Sequence, residues 1–136
     1  MTADKVRHDR NVELHVGNAH RSPVPTSWVY RADDPYAVSI EFFPGQHHRV
    51  QWRFARDLLI DGLTEPTGEG DVRVEPDLDR PDLLKLSLRT PSGTATLDVD
   101  RAQTQRFIDG AIRLVPAGGE QDFVNLDELD DLLTCT

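Results

Sequence analysis

Five histidines (His8, His15, His20, His47 and His48) and 24 carboxylates in 136 residues are the groups most able to do chemistry in this sequence. A zinc hydrolase needs two histidines one helical turn apart with a glutamate beside them, so that both imidazoles reach one ion. No pair here has that spacing, and His47 and His48, being adjacent, point opposite ways on an extended chain and suit a hairpin tip. None of Ser22, Ser27, Ser39, Ser87 or Ser92 sits in a G-x-S-x-G elbow. Acids this abundant fall near one another by composition alone, so their proximity singles out no general acid and base. The sole cysteine, Cys135, permits neither an intrachain disulfide nor a cysteine-built metal site, and suits a reducing compartment. "PTGEGD", residues 66 to 71, holds two glycines but lacks the Lys-Ser/Thr ending of a phosphate loop, and Glu69 and Asp71 would repel phosphate; it reads as a turn. No enzyme, cofactor or metal is expected.

Binding chemistry is the alternative. "HHRVQWRFAR", residues 47 to 56, contains Arg49, Arg53 and Arg56 and no acid, a mixture that a single-stranded nucleic-acid binder could use for backbone contacts and base stacking. On a strand, however, Trp52 and Phe54 face away from Arg49 and Arg53, so rings and charges cannot form one surface. The formal net charge of -9 also disfavours a polyanionic partner. Arg49 and Arg53 therefore read as a solvated face and a candidate protein-partner surface. A second candidate lies at the other end: from Pro116 onward there are six acids, no Lys or Arg, and a leucine stripe at Leu126, Leu129, Leu132 and Leu133. Such a stripe can dock in a partner's groove, but packing on its own domain is the commoner use.

These residues must be positioned by strands. Val12, Leu14 and Val16 alternate with polar neighbours, as do Tyr36, Val38, Ile40 and Phe42, and Val50, Trp52 and Phe54 after the Pro44-Gly45 turn, which predicts an antiparallel hairpin. Residues 18 to 27, with two prolines, predict a connection or an extended edge. "ARDLLIDG" predicts a two-turn helix with Leu58 and Leu59 inward and Gly62 ending it in a left-handed conformation. Val72 and Val74, then Leu84, Leu86 and Leu88, then Ala95, Leu97 and Val99, suggest a meander. Asp100 can cap a helix carrying Phe107, Ile108, Ala111 and Ile112, and Asn125 can cap a short C-terminal one. About six strands are expected, mostly in antiparallel sheets, with helices mainly in the C-terminal third: an α+β fold in one domain, residues 1 to 136. No apolar run approaches the roughly 20 residues that span a bilayer, so a cytoplasmic protein is expected, meeting membrane only through partners.

"DPYAV" at Asp34, Pro35, Tyr36, Ala37 and Val38, "VQWRFARDLLIDGL" at residues 50 to 63 and "PTGEGDVRVEP" at residues 66 to 76 together resemble the SsgA-like family, sporulation-specific cell division proteins of actinobacteria. The ordered core is Trp52, Phe54, Ala55, Arg56, Asp57, Leu58 and Leu59, then Gly62, then Pro66, Thr67, Gly68, Gly70, Asp71 and Val72. The overall pattern is most similar to the SsgB-type members; Met1 to Arg10 and Pro116 to Thr136 follow no motif. The resemblance implies a non-enzymatic adaptor that positions septa by recruiting the division protein FtsZ together with other SsgA-like proteins. It further implies a homotrimer of subunits similar to the Whirly and mitochondrial guide-RNA binding proteins, with two antiparallel sheets, located at the septum. The motif positions are mainly structural under this reading: Trp52, Phe54, Leu58 and Leu59 fill the core, Gly62, Gly68 and Gly70 permit turns, and Arg56 or Asp57 reaches a neighbouring group.

Overall fold

The computed structural model describes residues 4–16, 20–45 and 47–119. Seven strands, β1 (Lys5–Val16), β2 (His20–Arg31), β3 (Asp34–Gly45), β4 (His48–Ala55), β5 (Val72–Pro76), β6 (Leu83–Thr90) and β7 (Gly93–Asp100), form an antiparallel sheet in the order β4-β3-β2-β1-β7-β6-β5. The helices are α1 (Arg56–Gly62) and α2 (Arg101–Leu114). Strands β1 to β4 and β5 to β7 make two hairpin systems joined where Glu13 opposes Asp98 and Leu14 opposes Leu97. The two sheets implied by the resemblance are thus continuous through this short pairing.

Period-two alternation places one face of every strand on the core. Val12 and Leu14, Trp28 and Tyr30, Val38 and Ile40, Trp52 and Phe54, Val72 and Val74, Leu84 and Leu86, and Leu97 and Val99 all pack there. Helix α1 contacts both edge strands, β4 and β5, so the sheet curls until its edges meet across that helix. Helix α2 starts as its sequence predicts, with Asp100 Oδ1 accepting from Gln103 N at 2.8 Å, and buries Thr104, Phe107, Ile108 and Ala111 against β1, β2 and β7.

Three expectations change. Residues 20 to 31 form a full strand inside the sheet rather than a connection or an extended edge, which raises the count from six to seven. Pro23 and Pro25 oppose Glu13 and Asn11 of β1, while pairing with β3 begins only at Thr26. The prolines thus occupy the stretch with one partner, where a missing N–H is tolerated if it faces outward. Tyr36 is 51% exposed rather than inward, because a register shift after Tyr30 sets Arg31 against Asp34 and buries Ala37 instead. The expected helix capped by Asn125 lies outside the described residues.

Gly62 is the third. It has no positive φ; α1 passes into Leu63, which stays right-handed and donates its N–H to Asp61 O and Ile60 O. Its role is close approach, since a Cβ there would stand 2.6 Å from Val74 Cβ and 3.1 Å from Val74 O. Gly62→Ala is expected to lower stability by about 1–3 kcal/mol through overpacking, read as a shifted urea midpoint. Gly70→Ala, with open space around it, is the control and should change stability by less than about 0.5 kcal/mol. Gly70 also lacks a positive φ; the turn rests on Gly68, at φ +114°, which lets Thr67 bridge Val74 through N···O bonds of 2.8 and 2.9 Å.

Candidate protein-binding face

The motif of residues 52 to 59 is a strand running into a helix, and the change of period turns its arginine inward. Trp52 and Phe54 face the core from β4; Ala55 ends the strand; Arg56, the first helical residue, is only 1% exposed. Its Nη1 donates to Val115 O at 2.6 Å and Tyr30 Oη at 3.0 Å, with a longer contact to Ala111 O at 3.4 Å. Tyr30 Oη in turn donates to Pro35 O at 2.8 Å. The "DPY" and "FARDLL" motifs, twenty residues apart, therefore meet through Tyr30, and both are tied to the carbonyl end of α2, where the helix dipole favours a cation. Leu59 is buried and Leu58 partly so; Asp57 is exposed in the first turn of α1. Pro66 and Asp71 are exposed in the connection from α1 to β5.

Arg49 and Arg53 share the outer face of β4, an edge strand. Arg53 makes a bidentate pair with Asp34, at 3.0 and 2.7 Å, and Arg49 stands 4.0 Å from Glu41. Exposed pairs of this kind contribute about 0–1 kcal/mol and largely cancel the local charge. Trp52 and Phe54 lie on the opposite face, so the segment presents neither a continuous cationic track nor rings beside charges.

The inner face shows a different feature. The helices fill the end of the curled sheet where β4 and β7 finish. At the other end Leu14, Val24, Phe42, Val50, Trp52 and Leu97 border an apolar groove of about 160 Å³. Val50 is 45% exposed at its margin. The β5 edge is covered in part by the Thr67 bridge, whereas β4 flanks the groove as an edge strand; an open edge beside apolar surface is a protein-docking geometry. The alternation of β4 signalled which residues face inward, but the curl that leaves them uncovered had no sequence signal.

Two polar clusters also went unsignalled. Asp98, whose side chain is nearly buried, has His15 Nε2 2.8 Å from Oδ1 and accepts from Arg21 Nε at 3.1 Å on Oδ2, clamping the short β1–β7 junction. On the core side of β1, the Arg10 guanidinium lies 3.6 Å over the Trp28 ring and Nη2 donates to Thr104 Oγ1 at 3.0 Å. Burial pushes Arg10 down to about 9, partly offset by Asp100, so it remains a cation at neutral pH. His8, edge-on to Phe107 at 5.4 Å, is lowered by burial and then by Arg10 and Arg106. Among the described residues no group of three His, Cys, Asp or Glu could hold a metal, and no helix is long and apolar enough to cross a membrane.

The profile described as "Streptomyces sporulation and cell division protein, SsgA" matches residues 24–120. The sporulation-specific cell division protein SsgB of Kineococcus radiotolerans is 44% identical over 126 residues, 89% of this chain and 74% of that protein. SsgB of Streptomyces coelicolor is 37% identical over 87% of each chain. Among solved structures, an SsgB structure concerned with longitudinal division during sporulation of Streptomyces coelicolor superposes with a TM-score of 0.83 at 36% identity, covering 88% of this chain and 94% of the other. An SsgA-like sporulation-specific cell division protein from Thermobifida fusca gives a TM-score of 0.85 at 32% identity, covering 96% and 98%.

Proposed function

Because the chain belongs to the SsgA family of sporulation and cell division proteins, we propose that it is a non-enzymatic adaptor that positions sporulation septa by recruiting FtsZ. The observation that carries this reading is agreement with SsgB proteins in both sequence and fold over most of the chain. The apolar groove beside the β4 edge supports it, since it offers protein-docking surface. In this reading the protein is a single-domain homotrimer, works in the cytoplasm at the division septum with other SsgA-like proteins, and reaches the membrane only through partners.

The test joins genetics to binding. Deleting the gene is expected to misplace Z-rings and block sporulation septa, and purified protein is expected to retain FtsZ in a pull-down. Normal septation in the deletion strain would overturn the reading. A single-stranded nucleic-acid module is the alternative; its salt-sensitive oligonucleotide binding at low ionic strength should be absent, because Arg49 and Arg53 are engaged by acids and face away from the aromatic rings.

A further inference from the structure

This acidic chain carries a concentration of cations that neighbouring carboxylates neutralise only in part. Along the seam between β1 and α2, Lys5, His8, Arg10, Gln103, Arg106 and Arg113 border two adjoining surface hollows of about 290 and 480 Å³. Arg7, Arg21, Arg31, Arg53, Arg73 and Arg80 all pair with acids within 4.0 Å. Among the described residues Lys5, Arg10, Arg106 and Arg113 form no such pair; Lys85, Arg89 and Arg101 form none either but do not line these two hollows. Asp9 and Asp109 line the same hollows and Asp100 acts on Arg10, but Asp9 is already paired with Arg7, so the four cations outnumber the two acids left facing them, Asp100 and Asp109, the latter bonded only by the neutral Gln105 amide. Arg10 is the most confined, with Nε and Nη1 buried and lacking an acceptor. Asp100 offsets only part of the burial of this guanidinium, and a second anion beside it would relieve more.

We propose that this seam is the docking site of the chain's own C-terminal acidic segment, residues 120–136. Charge is complementary: Glu120, Asp122, Asp127, Glu128, Asp130 and Asp131 lie in that segment without a Lys or Arg. Position is favourable, because Arg113 stands in the last turn of α2, seven residues before Glu120. Length suffices as well. Arg106 and Arg113 are about 10 Å apart along the helix, and the segment can extend to about 50 Å. Tethering at the seam's end raises the local concentration of these acids to the order of millimolar, so individually weak ion pairs become populated. An acidic stretch of a partner protein would then have to displace this segment. The proposal goes beyond the septation reading and does not depend on it.

The test uses the full chain. A nitroxide attached to Cys135, the only cysteine, should broaden the backbone amides of residues 5–10 and 103–113. The paired variant Arg106→Glu, Arg113→Glu should restore those signals, as should high salt, with a folded, cooperatively unfolding chain retained because both side chains are exposed. Mixing labelled chain with isotopically enriched, unlabelled chain separates docking within a copy from docking between copies; broadening only between copies would overturn the same-chain proposal. So would broadening centred on Val50, Trp52 and Leu97, which would place the leucine stripe in the apolar groove. Absence of local broadening, or broadening at the seam that charge reversal leaves unchanged, would overturn it too.

Discussion

Arg56→Ala is expected to lower the free energy of unfolding by about 3–4 kcal/mol, because it strands buried acceptors worth about 1–3 kcal/mol each and opens a cavity. The acceptors are Val115 O and Tyr30 Oη, and the side chain they lose is almost fully buried. Urea denaturation of three variants separates the causes. Arg56→Met refills volume without donating, so it should remain close to alanine if hydrogen bonding dominates. Arg56→Lys keeps a charge and a donor and should recover part of the loss. Amide exchange should accelerate at both α1 and the end of α2, since the arginine joins them. A loss below about 1 kcal/mol for alanine would mean that this junction does not hold the motif together.

Trp28→Ala should cost about 3–5 kcal/mol, the range for removing a large buried aromatic. Trp28 is fully buried, meets Phe107 edge-on with centroids 5.8 Å apart, and donates from Nε1 to Thr26 Oγ1 at 2.9 Å. It is the surface on which α2 rests. Arg10 lies over the same ring, so a double-mutant cycle of Trp28→Leu with Arg10→Met should show coupling of about 1–2 kcal/mol, as expected for a desolvated cation on an indole face. Coupling near zero would show that the guanidinium is held by Thr104 alone. Trp28→Phe retains a ring but not the indole N–H, and should fall between wild type and alanine.

The local patterns of this sequence carry much of the fold. Alternation at Val12 and Leu14, at Trp52 and Phe54, and through the β5 to β7 meander predicts which face each strand buries. Asp100 marks the start of α2, and the ordered "WRFARDLL" and "PTGEGDV" motifs indicate the family. Local signals fail where pairing overrides propensity. The prolines of β2 read as a connection or an extended edge, but β1 supplies the ladder along that stretch of an inner strand. Gly62 reads as a helix stop, but it is small because Val74 lies against it.

What the sequence determined by itself are properties set within a few residues: strand faces, a helix cap, the turn at Gly68 and the absence of a zinc-hydrolase or P-loop motif. What only the tertiary structure decided are the meetings of distant segments. Arg56 finds Tyr30 and Val115 at separations of 26 and 59 residues, and Asp98 finds His15 at 83. The exposed groove and the cationic seam likewise depend on how far the sheet curls and where α2 crosses it. Side-chain period encodes which way a residue points, but curl and crossing come from the packing of whole elements against one another, and so what a side chain meets is decided only when the chain closes.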